Sequence, residues 1–493
     1  MPPSPPPLSP SSLIARFLRS NNYPQTLAAF IQEAGLPQDV GSFSGKATEN
    51  WTLEKIIEEK KAFDKSVDFE RAGGAEGEEE DGWKVPAPSL SSTVETPSAS
   101  NLLSVSVQPW QSTSEDENAK KLPSIIATGA DRRLNIVEVA ANHAVSATYA
   151  TLADSPILSC VSIHNGAYLA VTTMSGQLIL SQGSRIIDSR KDHTKYAISV
   201  VTFQEESKTW LATAGWDSRI YIYGIATTPG PEAEPSIGEP LAVIKPATIP
   251  ECILFLRNPD SGELLLLASR RDSTNLYYYL IDSPSNRLTS ARDNNGNAAP
   301  RELALLGKQN LAPHSNAWVA FSPACFALSP RDPTLLAVAT STLPHMKLMI
   351  VRLLIPPSSS PAPSPEPIQA GREVSQATQA FAALAIQNRE DAAIVVQVST
   401  MAPQTSYSVP QVVWRPDGSG VWVNGDDGVI RGIEGKTGKL VVSLKGGHEA
   451  GTKVRSIWAG MVRVREGRDG DGMEEWVVSG GFDKRLIVWK AHG

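Results

Sequence analysis

Cysteine is scarce. Cys160, Cys252 and Cys325 are the three in 493 residues, with neither the paired spacing of a zinc site nor the density of a disulfide scaffold. A reducing compartment is expected. Long apolar runs are also missing: the longest cluster, around Leu264 to Ala268, falls far short of the ~20 residues a membrane-spanning helix needs. The start, MPPSPPPLSP, lacks the basic-then-apolar order of a secretory signal, so a cytoplasmic and/or nuclear protein without membrane contact is expected. Positive charge is not in excess. With 45 Lys+Arg against 52 Asp+Glu the formal charge is 45 − 52 = −7, which disfavours direct nucleic-acid binding by phosphate neutralisation. The seven histidines are scattered, none in an HExxH spacing, and no phosphate-cradling glycine motif is present. No catalytic residue, metal or cofactor is therefore assigned, and the chain is read as non-enzymatic.

What the chain does have is length, proline and glycine. It is about three times the usual domain size, which calls for several domains, a repeat array or a large barrel. Its 37 prolines and 36 glycines promise many turns. Residues 1–10 form a Pro-rich, disordered start. Between Glu70 and Asp81 (ERAGGAEGEEED) six acids face one Arg, a local charge of 1 − 6 = −5, so residues 70–85 are expected to be an acidic, flexible linker. A second break, Pro356 to Pro367 (PPSSSPAPSPEP), marks a disordered Pro/Ser-rich insertion at 356–372. Behind it Val374, Ala377, Phe381, Leu384 and Ala385 recur at helical spacing, a short helix expected to cap the body. Ser4, Ser9, Ser360 and Ser364 each precede proline and are candidate phosphorylation sites.

Ahead of the linker the pattern is helical. Leu13, Ile14, Phe17 and Leu18 make one apolar stripe; Asn21-Asn22 interrupts; Pro24 opens a second helix bearing Leu27, Ala28, Phe30 and Ile31. Gly35 then Pro37 end it. A third, amphipathic helix is expected within 46–69, on Leu53, Ile56, Ile57, Phe63 and Val67. A hairpin spanning 11–45 is too small to bury its own apolar side chains, and it holds no cysteine staple. Self-association would solve that. The residues resemble the lissencephaly-homology (LisH) motif, a helical dimerisation element, through Leu13-Ile14, Phe17-Leu18, Ser20-Asn21-Asn22-Tyr23, Thr26, Phe30 and Glu33. Asn22 stands where that family usually has Gly, and Asn tolerates the left-handed conformation better than most residues. The resemblance implies a homodimer built on Leu13, Ile14, Phe17, Leu18, Tyr23, Leu27 and Phe30.

From residue 86 the period switches to two, with short β-branched runs separated by turn residues. Aligning IIATGADRRLNIVEV, LATAGWDSRIYIYGI and VVSGGFDKRLIVWKA gives one repeated unit: an apolar strand, small residues, an Asp (Asp131, Asp217, Asp483), then an apolar strand with Val137, Tyr223 or Trp489 six residues on. These units resemble WD repeats, and the fold expected over 86–493 is mainly β, a seven-bladed β-propeller. Blades begin near Leu102, Pro156, Tyr196, Glu251, Ala317, Ser408 and Lys453. The chain stops before the last blade has a fourth strand, so a strand between Lys84 and Glu95 should close the ring.

The resemblance implies structural tetrads of His448, Ser479, Asp483 and Trp489, and of His193, Thr213, Asp217 and Tyr223. Each buried Asp is paired by the His and the hydroxyl, and the role is structural rather than catalytic. It also implies a partner-binding face at the turn between the second and third strands of each blade. The residues before the turn aspartates are Ala130, Trp216, Arg271, Asp426 and Phe482; aromatics and Arg dominate interface energies, so Trp216, Arg271 and Phe482 lead. Trp216-Asp217-Ser218-Arg219 spells the WDxR string of ubiquitin-ligase substrate receptors, but Asp217 is itself the turn residue. The expected function is a protein–protein interaction scaffold in a multiprotein complex. The alternatives are a metal-dependent propeller hydrolase and a ubiquitin-ligase substrate receptor.

Overall fold

The computed structural model describes residues 10–42, 52–54, 82–111, 123–140, 142–205, 208–226, 234–282, 288, 291–292, 298–314, 321–358, 376–465 and 472–491. The chain divides into two compact units, Met1–Phe69 and Glu70–Gly493. The acidic run at 70–81, most of the third helix, nearly all of the Pro-rich insertion and the four Ser-Pro serines lie outside the described residues.

In the first unit helix α1 (Pro10–Ser20) and helix α2 (Pro24–Glu33) form the hairpin. Both stop in the same way. Asn22 takes φ 58° and Gly35 φ 60°, and the next N–H reaches back five residues, Tyr23 to the Leu18 carbonyl and Leu36 to the Ile31 carbonyl, each at 2.9 Å. Asn22 thus does the work of glycine. Pro24 occupies the first turn of α2, where its missing N–H is no loss. The chain after α2 then lies on α1: Arg19 Nη2 donates to the Gln38 and Val40 carbonyls at 3.0 and 3.2 Å. A Cβ on Gly41 would sit 2.5 Å from the Arg16 nitrogen, so only glycine permits this approach. The unit's small core is Ala15, Ile31 and Val40, with Leu27, Phe30 and Leu36 against it. The apolar stripe of α1 lies elsewhere: Leu13, Phe17 and Leu18 are half-buried, and Ile14 and Tyr23 are 40% and 52% exposed.

The second unit is a propeller of seven blades, each built on four antiparallel strands. Their innermost strands are Leu102–Gln108, Ile157–Ile163, Ala197–Gln204, Pro250–Arg257, Pro323–Leu328, Val412–Trp414 and Val454–Arg465. Each touches the next around the circle. Second and third strands are buried on both faces, as with Ile125, Ile126, Ala127, Leu134 and Ile136 at 0% exposure, because a neighbouring blade covers each face. The cores accordingly lie between blades: Trp210, Ile222, Phe255 and Leu266 pack across blades 3 and 4, and Val105, Val137, Trp476 and Val488 across blades 1 and 7. Closure comes from the N-terminal side. Leu90–Val94 pairs antiparallel with Leu486–Lys490, Leu90 opposite Lys490 and Val94 opposite Leu486, completing blade 7 as its outermost strand.

Three features differ from the sequence reading. Trp83 and Lys84 fall within the expected linker, yet they are bound to the body. Trp83 packs edge-on against Trp422 at 5.1 Å and donates its backbone N–H to Glu434 at 2.9 Å, and the Lys84 carbonyl accepts from Arg415 at 2.7 Å. A large aromatic gains too much by burial to stay in a solvated spacer. Blade 3 gains a fifth strand: after blade 4's third strand the chain turns back, and Arg301–Glu302 pairs in parallel with Ala242–Ile244. Finally, helix α3 (Gln376–Ala392) does not cap the body with an apolar face among its described side chains. Leu384 and Ile386 are 47% and 60% exposed, and the helix is held at its end, where Glu390 accepts the Asn310 N–H at 2.7 Å. Alanine-rich sequence makes a helix without needing much packing.

Candidate functional site

The turns of one propeller face are held by buried polar groups. In blade 7, His448 Nδ1 lies 3.0 Å from both Asp483 carboxylate oxygens, its Nε2 lies 2.8 Å from Ser479 Oγ, and Trp489 Nε1 donates to the same hydroxyl at 2.9 Å. The His448 and Asp483 side chains are 0% exposed. Burial raises the Asp483 carboxyl, but the His448 hydrogen bond and charge, with the Glu449 and Arg485 N–H groups, outweigh it and hold the group below the ordinary carboxylate range. All four residues are brought together.

Blade 3 repeats the arrangement with one change. His193 joins Asp217 at 3.0 Å and Thr213 at 2.9 Å, while the Tyr223 hydroxyl donates to Asp192 at 2.9 Å. Tyrosine is longer than the indole N–H and reaches past the tetrad to a second carboxylate, itself clamped by Arg190 at 2.8 Å. In blade 6 the place of the His is taken by Arg431, which binds Asp427 through two N–H groups at 3.1 and 2.6 Å. In blade 1, Ser98 Oγ donates to Asp131 at 2.6 Å. Four of the seven turns thus rest on an anchored carboxylate, held by His in blades 7 and 3, by Arg in blade 6 and by Ser in blade 1.

One backbone bond recurs in six blades and defines the face. The residue at the turn donates its N–H to the carbonyl just ahead of the innermost strand: Ala130 to Asn101, Met174 to Pro156, Trp216 to Tyr196, Arg271 to Ile249, Ser341 to Ser322 and Phe482 to Lys453, at 2.8–3.0 Å; in blade 6 Asp426 instead donates to Pro403, the last residue of blade 5's outermost strand, at 3.2 Å. These seven residues form a ring about the channel mouth. The sequence-selected Ala130, Trp216, Arg271, Asp426 and Phe482 all belong to it. Met174 and Ser341 complete it; sequence reasoning missed them because their blades have no turn Asp. Each directly follows an apolar second strand, Tyr168–Thr173 or Leu335–Thr340, as Ala130 follows Ser124–Gly129, and that was the signal available.

The ring is not uniform. Trp216 and Phe482 are each 39% exposed and Met174 is 37% exposed. Tyr196 stacks on Trp216 at 4.9 Å. Arg271, from the next blade, sets its guanidinium 5.8 Å from the Trp216 ring centre and bonds Glu251 at 2.6 Å, so one side chain is held by two contacts while 45% of it stays exposed. Asp426 is different: Lys453 at 2.7 Å and Ser408 at 2.5 Å occupy its carboxylate, so it braces the ring. Beside Arg271, a cleft of about 470 Å³ opens between blades 4 and 5, with Arg270, Asp272, Phe321 and Ser341 among its walls. Among the described residues no group of three or more His, Cys, Asp or Glu side chains gathers as metal ligands would, and no helix is long and apolar enough to cross a membrane.

Comparison with known families gives two matches. The family described as UCP007778, beta-propeller domain, matches residues 114–490, and a LisH domain described for the same family matches residues 11–38. No curated protein matches the chain. LisH and β-propeller domains are of the protein-interaction kind.

Proposed function

The chain belongs to the UCP007778 family, and from that premise we propose that it is a non-enzymatic adaptor, dimerised by its LisH hairpin and holding partner proteins on the propeller ring. The observation that carries the reading is the exposed Tyr196–Trp216–Arg271 cluster. It joins two aromatics and a guanidinium, braced by Glu251, on a rigid rim. Those residue types supply most interface energy when a partner removes them from water. None of the three joins the core packed between blades 3 and 4.

The dimer half of the proposal rests on the apolar stripe of α1, which the hairpin's own core leaves only partly covered. A second hairpin burying Ile14, Phe17 and Leu18 would supply what so small a unit lacks. Two propellers held together would bind a repeated or dimeric partner with avidity. Size-exclusion chromatography with light scattering tests the dimer, and co-purification with ring variants tests the docking face. A monomeric full chain would refute the first, and a partner set indifferent to the ring would refute the second.

A further inference from the structure

Just inside the ring, six of the seven innermost strands carry an irregularity one or two residues in from the start of the strand. The residues skipped by the pairing are Leu103, Leu158, Ile198, Glu251 with Cys252, Ala324 and Arg455. A bulge of this kind leaves a residue unpaired and re-aims its side chain. All of these residues are half-buried, on strands that face the channel. The set is mostly apolar. Its one anion, Glu251, is taken by Arg271, and the nearby pair of Asp426 and Lys453 is likewise closed.

Arg455 is the exception, since among the described residues neither a side-chain hydrogen bond nor an ion pair engages it. Burial alone pulls its guanidinium down to about 10, and no carboxylate lifts it back. An unpaired cation in such surroundings is costly, and in a folded chain it is ordinarily matched. Water reaches the group while protein surrounds it, as at the wall of a channel.

We propose that Arg455 is a ligand-binding residue, receiving a single carboxylate carried on an apolar body at the channel mouth. One guanidinium matches one carboxylate by a two-pronged hydrogen bond; a phosphate dianion would call for further donors, and Leu103 and Leu158, at the same strand position in the next two blades around the circle, offer only apolar contact. The reading deepens the scaffold proposal and rests on it: the carboxylate is that of an acidic side chain flanked by aromatic residues, on a partner seated on the ring.

The test titrates the full chain with three probes, followed by the probes' own NMR signals: an end-blocked Phe-Glu-Phe peptide, the same peptide with Gln for Glu, and 3-phenylpropionate. The account expects the Glu peptide to bind at least tenfold more tightly than the Gln peptide, and Arg455→Met to erase the difference. Arg455→Lys should restore part of it. Because Arg455→Met removes an unpaired charge, it should melt no lower than the wild type, which separates ligand loss from misfolding. Binding of 3-phenylpropionate as tight as that of the Glu peptide would assign the site to a free acid instead of a partner side chain. Equal binding of the two peptides, or a preference that survives Arg455→Met, would overturn the inference. Partners retained by Arg455→Met but lost by Trp216→Ala/Phe482→Ala would leave the scaffold reading standing while this inference falls.

Discussion

Trp216 and Arg271 stand 55 positions apart in the chain, in neighbouring blades, and meet with the guanidinium 5.8 Å from the indole ring centre. Each occupies the same turn position in its own blade, fixed by its N–H to the carbonyl of Tyr196 or Ile249. Blade repetition therefore brings together what sequence distance separates.

Removing this pair should hurt binding more than folding. An exposed cation–π contact is worth about 0.5–1 kcal/mol, so Trp216→Ala should unfold in denaturant within about 1 kcal/mol of the wild type. Capture of partner proteins should fall at least tenfold. A large loss of stability with binding unchanged would make Trp216 a packing residue.

The tetrad in blade 7 predicts the opposite balance. Asp483→Ala leaves His448 without its partner at 0% exposure and should cost about 1–3 kcal/mol, read from urea unfolding, with the ring intact at the other six turns. An unchanged unfolding midpoint would dismiss the buried network as a source of stability.

Acid should act through the same carboxylates. Asp217, Asp427 and Asp483 are all held below the ordinary range: burial raises each, and its His or Arg partner outweighs burial. A depressed folded-state value means stability that is present above the unfolded carboxylate pKa and lost as pH falls through the folded one. Thermal melting should therefore be flat near neutrality and drop below about pH 4. Asp483→Asn should shallow that drop, and a drop unaltered by the change would contradict the assignment.

The closing strand depends on a second buried ion pair. Arg415, 1% exposed, meets Glu475 through two bonds of 2.9 and 2.7 Å while also binding the Lys84 carbonyl and lying 4.4 Å from the Trp83 ring centre. Glu475→Gln strands a buried charge and should destabilise by about 3 kcal/mol. Protease susceptibility near residue 84 should rise with it, because Arg415 anchors that segment. Equal cleavage in both proteins would separate the ion pair from closure.

Much of the architecture was legible because its signals are local. Asp131, Asp217 and Asp483 repeat within like-patterned strands, and a ring needs a strand from the N-terminal side once the last blade runs short. Asn22 could be read as a left-handed residue from its chemistry alone. What was hidden depended on distance or on substitution. Arg431 replaces histidine with a longer cation from inside its own blade, so no motif marks it. Met174 and Ser341 lack the Asp that flags their neighbours. Arg301–Glu302 joins a foreign blade through backbone bonds, for which any residue pair would serve. Arg455 became conspicuous through an absence, a partner that no pattern of residues could reveal as missing.

The central claim, a dimeric adaptor whose ring holds its partners, is tested most directly by one paired purification from native cells. Tagged full chain and a Trp216→Ala/Arg271→Ala/Phe482→Ala chain are recovered side by side, with the mass of each assembly measured by light scattering and its components by mass spectrometry. The account predicts two copies of the chain in both samples and a reproducible partner set in the first only. Identical partner sets, or a single copy of the chain in the wild-type assembly, would contradict it.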